Sequence, residues 1–248
     1  MQHKYFSVVS DLCITYTFRK IASLHQPLIY WKINPLDMAP DSVDDQYEGC
    51  RGNTANLVET EYLNKEIAPF KTFWQRGTEY VKEPKDNLKK NNLIAIYVYT
   101  DYGVFDDLNN AVYNDKEKYK DKAFKWHSLH FLLTEAIQIL KRKQNKCYDT
   151  YSDTEDTYTY DNNFEDVRFG CFTSSLDHSK TTFFGTKTCF EIRTCEGADI
   201  TKYSKLPHEK EKRADQPDLW CETVFPLKST GKTSELNCAV APKDTTKL

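Results

Sequence analysis

The chain has 248 residues, 37 acidic against 34 basic side chains and a net charge of -3, with a pI near 6.1. That balance argues against an electrostatically driven nucleic-acid binder, which carries a basic face, and no run approaches the roughly 20 apolar residues of a membrane-spanning helix. Aromatic residues make up 14% of the chain, so material for a sizeable core is present despite a mean hydropathy of -0.71, and one domain, or one domain with two lobes, is expected.

Residues 1–32 read as a leader or extension. The run Tyr5–Phe18 is interrupted by Asp11 and followed by Arg19 and Lys20, unlike the uninterrupted apolar stretch of a secretory signal. A helix is expected around Leu57–Ile67, ahead of Pro69. Leu93–Tyr99 is ambiguous, because its β-branched and aromatic residues favour a strand by composition. The clearest helix spans about Phe124–Lys143, where Leu129, Leu132, Leu133, Ala136, Ile137 and Leu140 recur at three- and four-residue steps. His127 and His130 beside that stripe read as packing or surface residues rather than ligands. Lys141, Arg142 and Lys143 complement the dipole at the helix end.

From Lys146 onward the pattern changes to short apolar runs separated by Gly, Ser, Thr and Asp. Tyr148–Asn163 is acidic and polar and reads as a surface loop. Val167–Phe172, Thr188–Thr194 and Asp218–Leu227 read as strands. The expected fold class is α+β, a helical lobe (about 33–146) packed on a β-rich lobe (about 147–241) and followed by a polar tail, 242–248. No Gly-x-Gly-x-x-Gly follows a strand, which argues against a Rossmann unit.

Eight cysteines occur without Cys-x-x-Cys or His-x-x-x-His spacing, so no metal site is expected. A disulfide framework formed in an oxidising compartment fits them better, and the expected location is secreted or extracellular. The polar carboxyl end does not resemble the hydrophobic tail of a glycolipid anchor.

The candidate chemistry lies between Val167 and Glu211. A strand ending in Thr173-Ser174-Ser175 is followed by Phe183-Phe184-Gly185, a Cys189-Phe190-Glu191-Ile192-Arg193 strand and Glu209-Lys210-Glu211. In extended chain, Glu209 and Glu211 project to one side. Two carboxylates on one side beside paired hydroxyls suit bond cleavage at an anomeric carbon, where an oxocarbenium-like cation develops. A glycoside hydrolase fits less well, since its two carboxyls flank the scissile bond.

This stretch belongs to an ordered series. It comprises Leu36-Asp37-Met38-Ala39-Pro40-Asp41-Ser42-Val43-Asp44-Asp45-Gln46-Tyr47-Glu48-Gly49-Cys50, Tyr97-Val98-Tyr99-Thr100, Trp126-His127-Ser128-Leu129-His130, Val167-Arg168-Phe169-Gly170, Phe172-Thr173-Ser174-Ser175, Gly197-Ala198-Asp199-Ile200, Glu209-Lys210-Glu211 and Leu236-Asn237-Cys238. The series resembles the vertebrate ecto-ADP-ribosyltransferases, the arginine-specific mono-ADP-ribosyltransferase family, over roughly residues 33–241. The resemblance implies an ADP-ribosyltransferase domain over 33–241 and a helix at Leu93–Tyr99. It implies NAD (or NADP) as co-substrate and a protein arginine as acceptor, with NAD glycohydrolysis when water replaces arginine. It gives Glu211 the nicotinamide ribose and the cationic transition state, and Glu209 the choice of arginine. Ser174 and Ser175 are implied to bind NAD. Phe183 or Phe184 either stacks on nicotinamide or packs in the core beside Gly185; Phe184 is the NAD-binding candidate. The implied disulfides are Cys50–Cys238 and Cys147–Cys195, with a third between Cys171 and Cys189 an option; Cys13 and Cys221 have no assigned partner.

The chain departs from the family pattern in three places. The arginine that grips the NAD phosphate is replaced by Ser152, with Arg168 the one candidate substitute. The hydroxyl segment has two serines where Thr-Ser-x-Ser is common. The apolar strand that follows Glu-x-Glu is missing, because Glu211 runs into Lys212-Arg213-Ala214-Asp215. These departures support a second reading, a catalytically impaired secreted binding protein of the same fold.

Overall fold

The computed structural model describes residues 7–9, 33–36, 38–154, 156–160, 168–175, 187–205 and 223–228. Two short strands come first, β1 (Ser7–Val9) and β2 (Ile33–Leu36). A helical run follows: α1 (Arg51–Leu57), a wider-wound turn at Val58–Tyr62, and α2 (Leu63–Glu66). The sequence reading of Leu57–Ile67 recovers the second half of this run. Its first half, Arg-Gly-Asn-Thr-Ala-Asn, carries too few apolar residues to show a period.

After a short turn containing Pro69 come α3 (Lys71–Tyr80), α4 (Lys90–Tyr99), α5 (Tyr102–Asn114), α6 (Lys116–Lys120) and α7 (His127–Gln144). The ambiguous Leu93–Tyr99 segment is helical. Every residue from Asn92 to Tyr99 is buried, and α4 packs against α3, α5 and α7. A helix that is apolar all round is a central one, and burial on this scale outweighs the few tenths of a kcal/mol that each β-branched residue costs in a helix. Gly77 lets α3 approach closely, since a Cβ there would lie 3.0 Å from Ile94 Cγ2.

α7 starts three residues later than its apolar stripe suggested. Lys122 takes a left-handed conformation (φ 61°), and the Phe124 N–H donates to Lys118 C=O at 3.0 Å. Phe124 therefore closes a turn and packs in the core without joining the helix. The helix ends on Asn145, also left-handed (φ 44°), a conformation that Asn tolerates better than most residues. Lys141, Arg142 and Lys143 occupy its last turn. Lys141 pairs with Glu196, and Lys143 with Asp86.

The β-rich part contains β3 (Tyr148–Thr154), β4 (Thr157–Tyr160), β5 (Thr173–Ser175), β6 (Thr188–Thr194), β7 (Gly197–Asp199) and β8 (Thr223–Lys228). β3 pairs antiparallel with β6, and β6 pairs parallel with β8. β2 and β4 form a parallel pair. β1 lies between β5 and β7, antiparallel to both.

Two sequence readings are corrected. Tyr148–Asn163 contributes two strands where a surface loop was expected; Tyr148, Thr150 and Thr154 are buried, a two-residue period that the intervening acidic residues obscured. The Val167–Phe172 strand is displaced: residues 168–172 are irregular, and the strand is Thr173–Ser175, because Arg168 and Gly170 are committed to another loop. The described part of the expected Asp218–Leu227 strand is strand, Thr223–Lys228, and residues 218–222 lie outside the described residues. Thr188–Thr194 is a strand as expected, with its even positions buried. The architecture is α+β, a helical lobe with a disulfide-bonded β-rich lobe.

Candidate functional site

β5 carries the hydroxyl strand, and the helical lobe holds it from behind. The Tyr99 hydroxyl donates to the Phe172 carbonyl at 2.9 Å, and Asn109 Nδ2 donates to the same oxygen at 3.1 Å. Both acceptor positions of the carbonyl immediately before β5 are thus filled by buried groups of α4 and α5. The Asn109 and Ser174 side chains are hydrogen-bonded to the Tyr99 hydroxyl, whose ionisation burial pushes well above the usual tyrosine range. Asp106, on the same helix as Asn109, has its carboxyl pushed up by burial and by the neighbouring Asp107 charge.

The Ser174 and Ser175 side chains project to opposite sides of β5. Successive strand residues alternate, and Ser174 is half-buried and turned to Tyr99, whereas Ser175 is fully buried. Thr173 shares the Ser175 side of the strand, and its buried Oγ1 has no hydrogen-bond partner among the described residues.

The segment from Met38 to Cys50 forms a clasp under the site. Arg168 donates to Met38 C=O (3.1 Å), Ala39 C=O (3.3 Å), Ser42 Oγ (2.7 Å) and the Asp44 carboxylate. Gly170 completes this contact, since a Cβ there would sit 2.6 Å from Ser42 Cβ and 2.7 Å from Ala39 Cβ. Arg168 therefore anchors the clasp, and its guanidinium is engaged by these partners. Ser152 is half-buried in β3 opposite Phe190.

Next to Arg168's partner, Asp45 accepts from the Tyr47 N–H (2.7 Å) and from the Tyr119 hydroxyl (2.8 Å). The Tyr47 hydroxyl is 2.6 Å from His130 Nδ1, and His130 Nε2 lies 3.2 Å from Val43 C=O. These partners fix the neutral tautomer: Nε2–H donates to the carbonyl and Nδ1 accepts from the phenol. Burial lowers the His130 pKa to about 3. His127 faces Glu66, with Nδ1 2.7 Å from one carboxylate oxygen; the other oxygen accepts from the Ser128 N–H and hydroxyl at 2.8 and 2.7 Å. Glu66 thereby caps α7 from α2, placing a carboxylate on the positive end of the helix. Both histidines are packing residues, as the sequence suggested. The acidic motif Asp44-Asp45 is also structural, a role that sequence pattern alone did not reveal because it depends on distant Arg168, Tyr119 and His130.

The chain leading to the candidate carboxylates is fixed at its start. The Lys205 N–H donates to Thr100 Oγ1 at 2.9 Å, and its ammonium meets Asp101 at 2.5 Å, with Arg76 on the same carboxylate at 3.2 Å. Lys205 lies four positions before Glu209. Glu209, Glu211, Phe184, Cys238, Cys13 and Cys221 lie outside the described residues. Cys147 and Cys195 form the expected disulfide, and Cys50, Cys171 and Cys189 are each disulfide-bonded. Among the described residues no His/Cys/Asp/Glu group could hold a metal ion, and no helix is long and apolar enough to cross a membrane.

The family model described as NAD:arginine ADP-ribosyltransferase matches residues 36–213. The erythroblast NAD(P)(+)--arginine ADP-ribosyltransferase of Gallus gallus is 31% identical over 226 residues, 82% of this chain and 75% of that protein. Ecto-ADP-ribosyltransferase 4 of Homo sapiens is 30% identical over 226 residues, 82% of this chain and 72% of that protein. Among solved structures, a mutant of the eukaryotic mono-ADP-ribosyltransferase ART2.2 in complex with NADH superposes with a TM-score of 0.68 at 28% identity, over 84% of this chain and 100% of that one. A second ART2.2 mutant, in complex with NAD, gives 0.68 at 27% identity with the same shares. With the family model spanning most of the chain and the fold matching along it, the protein belongs to the NAD:arginine ADP-ribosyltransferase family.

Proposed function

We propose that the chain transfers ADP-ribose from NAD, or NADP, to a protein arginine and releases nicotinamide. The observation that carries this reading is the extent of the family match, residues 36–213, which runs through the hydroxyl strand and both Glu209 and Glu211. In the reaction the bond between ribose C1′ and the nicotinamide nitrogen breaks and its electron pair leaves with nicotinamide. Glu211 stabilises the cation that develops on the ribose. An arginine nitrogen then bonds to C1′ and gives up a proton. Glu209 holds the guanidinium, since a carboxylate matches its planar fork. Ser174, Ser175 and Phe184 are the proposed NAD contacts. Water in place of arginine gives NAD hydrolysis. The location that suits a disulfide-bonded member of this family is extracellular.

One observation favours the second reading, a catalytically impaired secreted binding protein. Ser152 brings no charge to the NAD pyrophosphate, and Arg168 is held by Asp44 and Ser42. Incubation with labelled NAD and an arginine-rich acceptor decides between them. Transfer predicts hydroxylamine-sensitive label that Glu211→Ala abolishes. Folded protein that binds no NAD by titration calorimetry and leaves the acceptor unlabelled would establish the second reading.

A further inference from the structure

We infer that β5 and β7 form a slot one strand wide, and that the chain's own residues Ser7–Val9 are its occupant. The pairing on both sides is antiparallel and in one register: Val8 stands opposite Ser174 on one side and Ala198 on the other. Neighbouring strands lie about 4.8 Å apart, so β5 and β7 are separated by about 10 Å and cannot pair with each other. Without an occupant each would present an unpaired edge.

Contacts elsewhere hold both walls. β5 follows the Phe172 carbonyl, which is fixed by Tyr99 and Asn109. On β7, the Gln144 carboxamide accepts from the Asp199 N–H and donates to the Asp199 C=O, both at 2.8 Å. The Cys147–Cys195 disulfide lies just before β7, and Glu196 pairs with Lys141.

The Gln144 contact also settles how the hydrogen bonds divide. Both backbone groups of Asp199 turn to Gln144, so Asp199 and Ser7 are a non-hydrogen-bonded pair. Alternation along an antiparallel ladder then makes Val8 and Ala198 the pair that exchanges N–H···O bonds. Val8 has no backbone group left for β5, so Ser7 and Val9 bond to Ser175 and Thr173. Ser7–Val9, within the segment that the sequence sets apart as a leader or extension, thus serve as the middle strand of this sheet, gripping the hydroxyl strand through alternate residues.

Hydrogen–deuterium exchange on the full, oxidised chain tests this. The amides of Ser7, Val8 and Val9 are expected to exchange at least tenfold more slowly than in an unstructured peptide of the same sequence, in a protein that runs as a monomer by size-exclusion chromatography with light scattering. Val8→Pro removes the amide directed at Ala198 and is expected to speed exchange at Ala198 at least tenfold, whereas Val8→Ala leaves it unchanged. Unprotected amides at residues 7–9 in the unaltered chain would overturn the proposal without reference to any variant. Protection found only in a dimer would overturn the assignment to the chain's own segment and give the slot to a second copy.

Discussion

Single residues in this protein carry loads that their types did not announce. Glu66 accepts three hydrogen bonds from the start of α7 while 8% exposed. Removing one side of a buried polar cluster leaves the other unpaired, at a cost of about 3–5 kcal/mol. Glu66→Ala is expected to lower unfolding free energy by that amount in urea titration, and Glu66→Gln by less. His130 gives a pH signature. Its folded pKa of about 3 lies below the ordinary value of about 6.5, so the unfolded chain takes up a proton that the folded chain does not. The groups around it are the Tyr47 hydroxyl, Val43 C=O, Tyr119 and His127. This contribution to stability is complete above about pH 6.5 and is lost as pH falls toward 3, at up to roughly 1.4 kcal/mol per unit. Stability measured by denaturant from pH 7 to 4 is expected to fall less steeply in His130→Gln than in the unaltered chain; parallel curves would contradict the assignment.

At the scale of elements, strong periods were legible and mixed compositions were not. α7 stood out because its apolar residues keep helical spacing, and β6 because buried and exposed residues alternate along it. β3 was hidden because Asp149, Ser152 and Asp153 made the segment look solvated, although Tyr148, Thr150 and Thr154 keep a strand period. The strand expected at Val167–Phe172 failed for a tertiary reason: Arg168 and Gly170 spend their geometry on the Met38–Asp44 loop. Gly170→Ala tests that loop. Its Cβ would press on Ser42 Cβ and Ala39 Cβ, neither of which can rotate away, and Ala39 is itself left-handed (φ 45°). The expected cost is about 1–3 kcal/mol, read as a lower urea midpoint with the slope unchanged. An unchanged midpoint would mean that the loop yields freely. Of the candidate site, the hydroxyl strand was legible from its Thr-Ser-Ser run; its backing by Tyr99 and Asn109 was not, since those residues lie 63 to 73 positions from Phe172.

For the whole molecule, the ordered motifs led to the α+β class and to the family, whereas the part played by β1 needed the three-dimensional pairing. The end of α7 has a consequence for how the two lobes melt. Gln144 binds the backbone of Asp199 and the hydroxyl of Tyr148, and the Cys147–Cys195 link follows three residues later. The same helix packs its other end against Glu66 and its flank against α4. Neither lobe can lose its order without dragging this shared rod with it. Scanning calorimetry of the oxidised protein is therefore expected to show one endotherm, with calorimetric and van't Hoff enthalpies in agreement; two separated peaks would mean that the lobes let go independently.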